Sequence, residues 1–306
     1  MRSAVREHAR EPGQGWKGFH IDTFRPSLPC RWPTRRGLTI VELLATSGII
    51  SLLAALLLPA TMSAREAARR LECTHHLRQI GLALHNYHDL HACLPPAWRN
   101  DSSGRSAYGW AVALLPLIDQ QNAFQSIDQR RGLDDPRQDK IRRMSEPLWL
   151  CPSDVAPQTF DLYEPGSGIA YLTLPSANYV GVYGTSEADE VRPTPPGDGT
   201  FINTRPVRFS EIDRGLSNLF IVGERSTEMF SSSWLGFDRR DEDAECRLVG
   251  SAIMGPNCLV CDECEFGSRH TGVSNFLFGD GHVRGIADGV DTEVYRQMAR
   301  RTESSP

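Results

Sequence analysis

The sequence lacks features that several common classes of protein require. Of its 306 residues, 33 are basic and 38 are acidic. The first 37 residues carry a net charge of +5, so the remaining 269 carry −10, and this acidic part has no basic stripe with interleaved aromatic residues. Nucleic-acid binding is therefore not expected. No internal repeat of solenoid or propeller period is present, which excludes those folds.

A signal-peptidase site is also absent. Residues Leu38 to Leu58 form an apolar run of 21 residues whose one ionisable side chain is Glu42. A secretory signal peptide has a shorter apolar core followed by an A-x-A-like cleavage site, and no such site follows here. At about 1.5 Å per residue the run makes a helix of roughly 30 Å, enough to cross a bilayer. We expect one membrane-spanning helix that stays in the mature protein.

The charges that flank this run predict its orientation. Arg35 and Arg36 stand directly before it, so the positive-inside rule places the N-terminus in the cytoplasm and the residues after Pro59 outside it. We expect a single-pass protein of the cytoplasmic (inner) membrane, with a basic leader over 1–37, a transmembrane helix over 38–59, an amphipathic helical stalk over 60–93 and an extracytoplasmic α+β domain over 94–306. Pro59 either kinks the helix or marks the membrane exit.

The start of the apolar run resembles a known processing site. From Gly37 the sequence reads GLTIVELL, which is similar to type IV prepilins and type II secretion pseudopilins, with Leu38 in place of the usual phenylalanine. The resemblance implies that a prepilin peptidase cuts between Gly37 and Leu38 and methylates the new amine of Leu38. It also implies that Glu42 pairs with the terminal amine of a neighbouring pilin-like subunit during assembly.

The position of Glu42 inside the apolar run indicates that its carboxylate requires a partner. A carboxylate well inside a spanning helix costs about 2.5–3.5 kcal/mol on the insertion scale, so it is usually retained for function. The alternative is a glutamate that reaches the interface from an ordinary anchor.

The residues after the apolar run predict a longer helix. Cys73, Leu77, Ile80, Leu84 and Tyr87 recur at 4-3-4-3 spacing, which draws one apolar stripe on a helix. A helix from Leu38 to about His91 is roughly 80 Å long. Its second half offers this stripe to a globular domain, as in pilins.

The remainder predicts a second helix, strands and a short closing helix. The second helix covers Trp110–Asp128, with Pro116 at a kink or in its first turn, and Asp291–Arg300 forms the last. Strands are expected over 178–183, 199–202, 219–222, 247–253, 275–278 and 282–286. Asp280-Gly281 predicts a hairpin turn in which both residues have positive φ. The fold class is α+β, a long N-terminal helix packed on an antiparallel sheet.

Several separated segments resemble one family of pseudopilin-like proteins, known as DUF1559, whose function is unknown. They include His270, followed by Asp280-Gly281, which is the family's C-terminal H-x9-DG signature. The other segments are Arg69–Cys73, Leu77–Asp89, Cys151–Asp154, Ser176–Gly181 and Ile221–Ser226. The family's label also lies close to solute-binding annotations, but the resemblance implies no ligand.

The sequence does not decide among three chemical states of its eight cysteines. Cys30 leaves with the leader, so seven stay in the exported part. Four of these are close in sequence: Cys246, Cys258, Cys261 and Cys264. They could hold Zn²⁺, form disulfides or remain free thiols. An extracytoplasmic location favours disulfides. We also consider a bridge between Cys73 and Cys151, which would pin the domain to its stalk.

Other polar residues give weaker indications. His85, His88 and His91 recur every three residues, so His85 and His88 could share a metal, although hydrogen bonds near the helix end explain them better. Glu224 and Arg225 predict a local ion pair that supports the fold.

Neither an enzyme nor a bound cofactor is expected. His270 and Asp280 suggest acid–base chemistry, but no nucleophile with an assignable partner accompanies them. The sequence instead favours a structural subunit of a type II secretion or type IV pilus-like filament, whose partners are the prepilin peptidase, other subunits and the membrane. The alternative is a membrane-tethered module that binds a ligand or solute through the loops of residues 155–270.

Overall fold

The computed structural model describes residues 37–155, 157–164, 166–189, 193–258, 260–261 and 263–303. The predicted leader, apart from Gly37, lies outside the described residues, as does Cys30. The chain divides into two compact units, Met1–Ala55 and Leu56–Pro306. The helices are α1 Ile40–His91, α2 Gln121–Ser126, α3 Asp139–Arg142 and α4 Thr292–Ala299. The strands are β1 Trp98–Asn100, β2 Ser106–Gly109, β3 Thr159–Tyr163, β4 Ala170–Ala177, β5 Tyr179–Gly184, β6 Phe220–Glu224, β7 Ser232–Ser233, β8 Gly236–Asp238, β9 Val249–Ser251, β10 Val273–Phe278 and β11 Val283–Ala287.

Helix α1 contains Pro59 and continues beyond it, so this proline does not end the helix. The helix stops where Ala92 adopts a left-handed φ of 57° and donates its backbone N–H to the carbonyl of His88 at 2.7 Å. A left-handed residue directly after the last turn is a common C-terminal cap. Among the described residues, α1 is the one helix long and apolar enough to cross a membrane.

The predicted apolar stripe of α1 is confirmed. Its five residues are all buried in the second unit, with Leu77, Ile80 and Leu84 fully so. The helix packs tightly on the sheet at Gly81, where an added Cβ would lie 2.8 Å from a methyl group of Leu277 on β10. The period of 3.6 residues thus identified the face of α1 that the globular domain covers.

Three sheets form the rest of the second unit. The largest has the strand order β11-β10-β6-β5-β9, and the other two have the orders β1-β2-β8 and β3-β4-β7. The α+β class is confirmed, but the sheet is mixed, not purely antiparallel as predicted, because β5 and β9 pair in parallel. A parallel pair needs a long crossover, and the chain from 185 to 248 supplies it.

Two predicted elements differ from the structure. The segment Trp110–Asp128 is not one helix: a 3-10 helix covers Trp110–Leu117 and α2 follows at Gln121–Ser126. Pro116 lacks a backbone N–H, and Asp119, which has a left-handed φ of 62°, separates the two turns. Residues 199–202 do not form a strand, because Thr200 and Phe201 both donate to the Val182 carbonyl instead of bonding alternately along β5.

The predicted hairpin between β10 and β11 is confirmed, but its turn is of another type. Of Asp280 and Gly281, Gly281 alone has a positive φ, +89°. The N–H of Gly281 donates to the Phe278 carbonyl at 2.9 Å, and the N–H of Phe278 donates to His282 at 2.9 Å. This is a four-residue loop around a tight turn that ends in a left-handed glycine.

Gly223 on β6 lies against two aromatic rings. A Cβ added there would be 2.5 Å from Phe266 and 2.6 Å from Phe276, and both rings are fully buried. We expect Gly223→Ala to lower the free energy of unfolding by about 1–3 kcal/mol, as overpacked cores do. Urea unfolding followed by tryptophan fluorescence measures this. Gly289→Ala, whose Cβ meets nothing within 4 Å, is the control, and equal midpoints for both variants would contradict the packing.

Candidate functional site

The N-terminal part of α1 is an uncovered apolar surface. Every large apolar side chain from Leu38 to Leu58 is between 52% and 77% exposed. A contiguous exposed apolar surface of this length marks a region that contacts lipid or other proteins. The structure therefore agrees with the predicted spanning segment.

Glu42 has a local partner that the sequence analysis missed. Its N–H donates to the Thr39 hydroxyl at 3.2 Å, and its carboxylate accepts the backbone N–H of Thr39 at 2.9 Å. This reciprocal pair is a capping box, which satisfies the free N–H groups at the start of a helix. The pattern T-x-x-E before an apolar run is its signature, so the sequence contained the signal. Glu42 thus takes part in capping α1.

Inside the second unit, four ionisable side chains from distant segments converge. Cys73 lies on α1, Cys151 follows the 3-10 helix Pro147–Trp149, Glu224 ends β6 and His270 precedes β10. Their ligand atoms all lie within 4.8 Å of one another, and none of the four residues is more than 5% exposed. We call these four residues the buried cluster.

The buried cluster has a defined geometry. The His270 Nε2 lies 3.6 Å from the Cys151 Sγ and 3.5 Å from a carboxylate oxygen of Glu224. Cys73 and Cys151 carry free thiols that contact each other. The two cysteines of the hypothetical bridge are therefore neighbours, although they are not bonded in the structure.

A second set of residues holds the buried cluster in place. Glu66 of α1 accepts a hydrogen bond from the His270 Nδ1 at 2.8 Å, and the Ser153 hydroxyl donates to the same carboxylate at 3.0 Å. The Asn178 side chain accepts the Cys151 N–H at 2.9 Å. Asn275 donates to both oxygens of Glu224, at 2.7 and 3.0 Å.

The arrangement shifts the pKa values of two cluster members. Burial opposes the charged form of His270, but hydrogen bonds to Cys151, Glu224 and Glu66 outweigh it and raise the pKa of His270 to about 10. A hydrogen bond with the Cys73 thiol, followed by burial, raises the pKa of the Cys151 thiol. The imidazole thus lies between two carboxylates, those of Glu66 and Glu224.

Three of the segments that carried the family resemblance meet at this place. Cys151–Asp154 and Ser176–Gly181 are joined where the Asn178 amide donates to Asp154 at 2.6 Å. The same carboxylate accepts the N–H of Thr227, directly after the segment Ile221–Ser226, at 2.7 Å. Residues far apart in the sequence therefore build one polar centre.

The remaining predicted site residues lie elsewhere. Asp280 and Gly281 form the β10–β11 turn, where Asp280 bonds to His282 at 2.6 Å, so Asp280 is not paired with His270. Cys246 is bonded to Cys264, and Cys258 to Cys261. These four cysteines therefore form disulfides in the structure, one of the states expected.

The histidines near the end of α1 make aromatic contacts. His88 stacks on Phe209 with ring centroids 4.1 Å apart, and His85 lies 5.1 Å from the same ring. His91 packs against Tyr87 at 4.2 Å. His85 and His88, for which a shared metal was the less favoured alternative, belong to no group of three or more potential metal ligands among the described residues.

Glu224 and Arg225 do not act as the predicted local pair. Glu224 belongs to the buried cluster, whereas the Arg225 side chain binds backbone carbonyls, including that of Glu265 at 2.8 Å. Sequence reasoning missed Glu224 and Glu66 as members of this site. Only their positions in the sequence could have indicated that they belong to the site. Glu224 ends an apolar strand, and Glu66 precedes Cys73 by two helical turns.

Glu265 predicts a pH-dependent stability. Burial raises the pKa of Glu265 to about 7, above the ordinary 4.5, so the folded state holds a proton that the unfolded chain has lost. The raised pKa makes the free energy of unfolding depend on pH. The contribution of Glu265 is fully present below about pH 4.5, and it is lost, by on the order of 3 kcal/mol, as the pH rises through about 7. We expect Glu265→Gln to flatten the decline between pH 5 and 8 in urea unfolding, whereas the exposed Glu303→Gln should not. Parallel curves for wild type and Glu265→Gln would contradict the shift.

The fold and the site together define a class of protein: one helix able to cross a membrane leads into an α+β domain with a polar, cysteine-containing centre. The family model described as "Protein of unknown function (DUF1559)" matches residues 62–293. The chain belongs to the DUF1559 family, as its separated motifs predicted. The match includes the buried cluster and excludes Gly37, Leu38 and Glu42. No curated protein and no solved structure matches this chain significantly.

Proposed function

We propose that this chain is a pseudopilin-like structural subunit. A prepilin peptidase cuts it between Gly37 and Leu38 and methylates Leu38, and the mature chain joins a filament of the type II secretion or type IV pilus kind. It resides in the cytoplasmic membrane with its N-terminus inside and residues 60–306 outside.

The exposed apolar half of α1 carries this proposal. Its side chains from Leu38 to Leu58 are more than half exposed, whereas residues 73–87 of the same helix present a stripe that is buried in the domain. Such a segment is stable in lipid or packed against identical helices of other subunits. Assembly moves it from the first environment to the second without exposing it to water.

Glu42 supports assembly over a simple anchor. Its carboxylate already completes the capping box, yet a neutral glutamine or a serine could also cap the helix. A full negative charge in the spanning segment has an additional use if it meets a cationic amine. Cleavage before Leu38 creates that amine at nearly the same depth.

Blocking the cleavage tests the proposal. We expect Gly37→Val to accumulate as the full-length precursor on an immunoblot in cells that contain the peptidase, because the branched side chain replaces the residue at which the enzyme cuts. Gly48→Val is the control, since this glycine lies in α1, beyond the cleavage site, with nothing within 4 Å of an added Cβ. Equal migration of wild type, Gly37→Val and Gly48→Val would contradict processing at this site.

A cavity favours a second candidate, the membrane-tethered binding module. It measures about 290 Å³ and is lined by aromatic and apolar side chains, including Tyr87, Trp110 and Phe124. Cavities of roughly this size hold small apolar ligands. Under this alternative α1 is only an anchor, and substitution of Glu42 has no effect on function.

A further inference from the structure

The buried cluster carries the donor atoms of a transition-metal site. Two thiols, one imidazole and one carboxylate converge, and soft thiolates with imidazole favour zinc over magnesium or calcium. We propose that Cys73, Cys151, Glu224 and His270 bind one divalent metal ion of the zinc class in a closed tetrahedral site. This proposal does not depend on filament assembly.

The distances between donor atoms fit this geometry. With metal bonds of about 2.3 Å to sulfur and about 2.0 Å to nitrogen or oxygen, the edges of a tetrahedron are roughly 3.3–3.7 Å. The His270 Nε2 lies 3.6 Å from the Cys151 Sγ and 3.5 Å from the Glu224 carboxylate. All four donor atoms lie within 4.8 Å of one another, so small side-chain movements close the site.

The residues around the donors orient them as a metal centre requires. A histidine ligand usually donates its other ring N–H to a carboxylate, which fixes the tautomer. Glu66 accepts that bond from the His270 Nδ1 at 2.8 Å, which leaves Nε2 for the metal. Asn275 holds the Glu224 carboxylate from two directions.

Two other uses of the same residues fit less well. The order Cys151, His270, Glu66 resembles that of a catalytic triad, but the cavity that borders Cys151 and Glu224 measures about 10 Å³. That is room for about one water molecule and not for a substrate. A larger cavity of about 730 Å³ is lined by His270, but Cys151 is not among its lining residues. A Cys73–Cys151 disulfide would use two of the four converging side chains, whereas a metal ion uses all four.

A closed site with four protein ligands is structural. Its ligands come from α1, from the loop after Trp149, from the end of β6 and from the loop before β10. The metal thus joins residues 73 and 270, which are separated by most of the domain's sequence. Its binding energy adds to the stability of the folded domain.

Metal analysis of the full chain tests the site. The protein is extracted in detergent without chelators, and zinc is measured per chain. We expect one zinc ion in the wild type and none in Cys73→Ser or His270→Gln. Cys93→Ser is the control, because Cys93 is a free thiol outside the buried cluster and its loss should leave the zinc content unchanged. Unchanged zinc content in Cys73→Ser would overturn the proposal.

A second measurement needs no variant and so does not depend on how well the variants fold. Zinc is removed from the wild type by a chelator and Co²⁺ is added. We expect the intense visible bands of tetrahedral Co²⁺ with thiolate charge-transfer bands, and a lower Tm for the metal-free chain that Zn²⁺ but not Mg²⁺ restores. A peptide map showing a Cys73–Cys151 disulfide, or the absence of the cobalt bands, would overturn the proposal.

Discussion

Replacing Arg225 by methionine should leave the chain without a stably folded domain. The Arg225 side chain is fully buried. Its guanidinium donates to the backbone carbonyls of Glu265 at 2.8 Å and Val249 at 3.0 Å, and also to those of Cys246 and Cys264. It therefore holds β9 to the segment that carries the Cys246–Cys264 bridge.

The expected cost follows from those partners. Arg225→Met leaves four buried carbonyls without this donor, although that of Cys264 still accepts the Ser251 N–H at 2.8 Å. Each of the other three costs about 1–3 kcal/mol if it is left unsatisfied. A total of at least about 3 kcal/mol is a large share of the 5–15 kcal/mol that stabilises a typical domain. Burial lowers the pKa of Arg225 to about 9, and the nearby Glu265 carboxylate partly opposes that fall.

Near-ultraviolet circular dichroism and limited proteolysis measure the effect. We expect Arg225→Met to lose the native aromatic signal and to be digested rapidly. Arg284→Met, which removes an exposed arginine from β11, should behave as the wild type does. If Arg225→Met unfolded at the wild-type midpoint, the guanidinium would not have the role that its contacts indicate.

Glu42→Gln should remove the chain from filaments while leaving it in the membrane. Glutamine keeps an oxygen that can accept the Thr39 N–H, so the capping box is weakened but not lost. What disappears is the negative charge that would pair with the amine of a neighbouring subunit. We expect the amount of chain in sheared, pelleted fibres to fall at least tenfold, the factor given by about 1.4 kcal/mol.

Thr39→Val separates helix capping from assembly. It removes the hydroxyl that accepts the Glu42 N–H but keeps the charge of Glu42. We expect Thr39→Val to enter fibres at nearly the wild-type level. Wild-type amounts of Glu42→Gln in the fibres would contradict the subunit role and favour the tethered binding module.

The sequence predicts best those parts of the fold that depend on local periodicity. The stripe on α1 and the strands β5, β6, β10 and β11 follow from residues near one another in the chain, where apolar spacing reports burial directly. The parallel pairing of β9 with β5 was not predictable, because it depends on which edge a 64-residue crossover returns to.

The buried cluster could not be assembled from sequence for the same reason. Cys73, Cys151, Glu224 and His270 lie on four segments, and no spacing rule connects them. The sequence suggests a pairing of Cys73 with Cys151, but it predicts a local ion pair for Glu224 and a signature shared with Asp280 for His270. Cysteine pairing is likewise not deducible from spacing, which is why the Cys246–Cys264 and Cys258–Cys261 bridges emerged only from the fold.

The intact mass of the wild-type protein, extracted from membranes of cells that contain a prepilin peptidase, tests the central claim most directly. We expect the mass of residues 38–306 with both disulfides formed, increased by one methyl group on the amine of Leu38. A chain that keeps residues 1–37, or that begins at any other residue, would contradict the account.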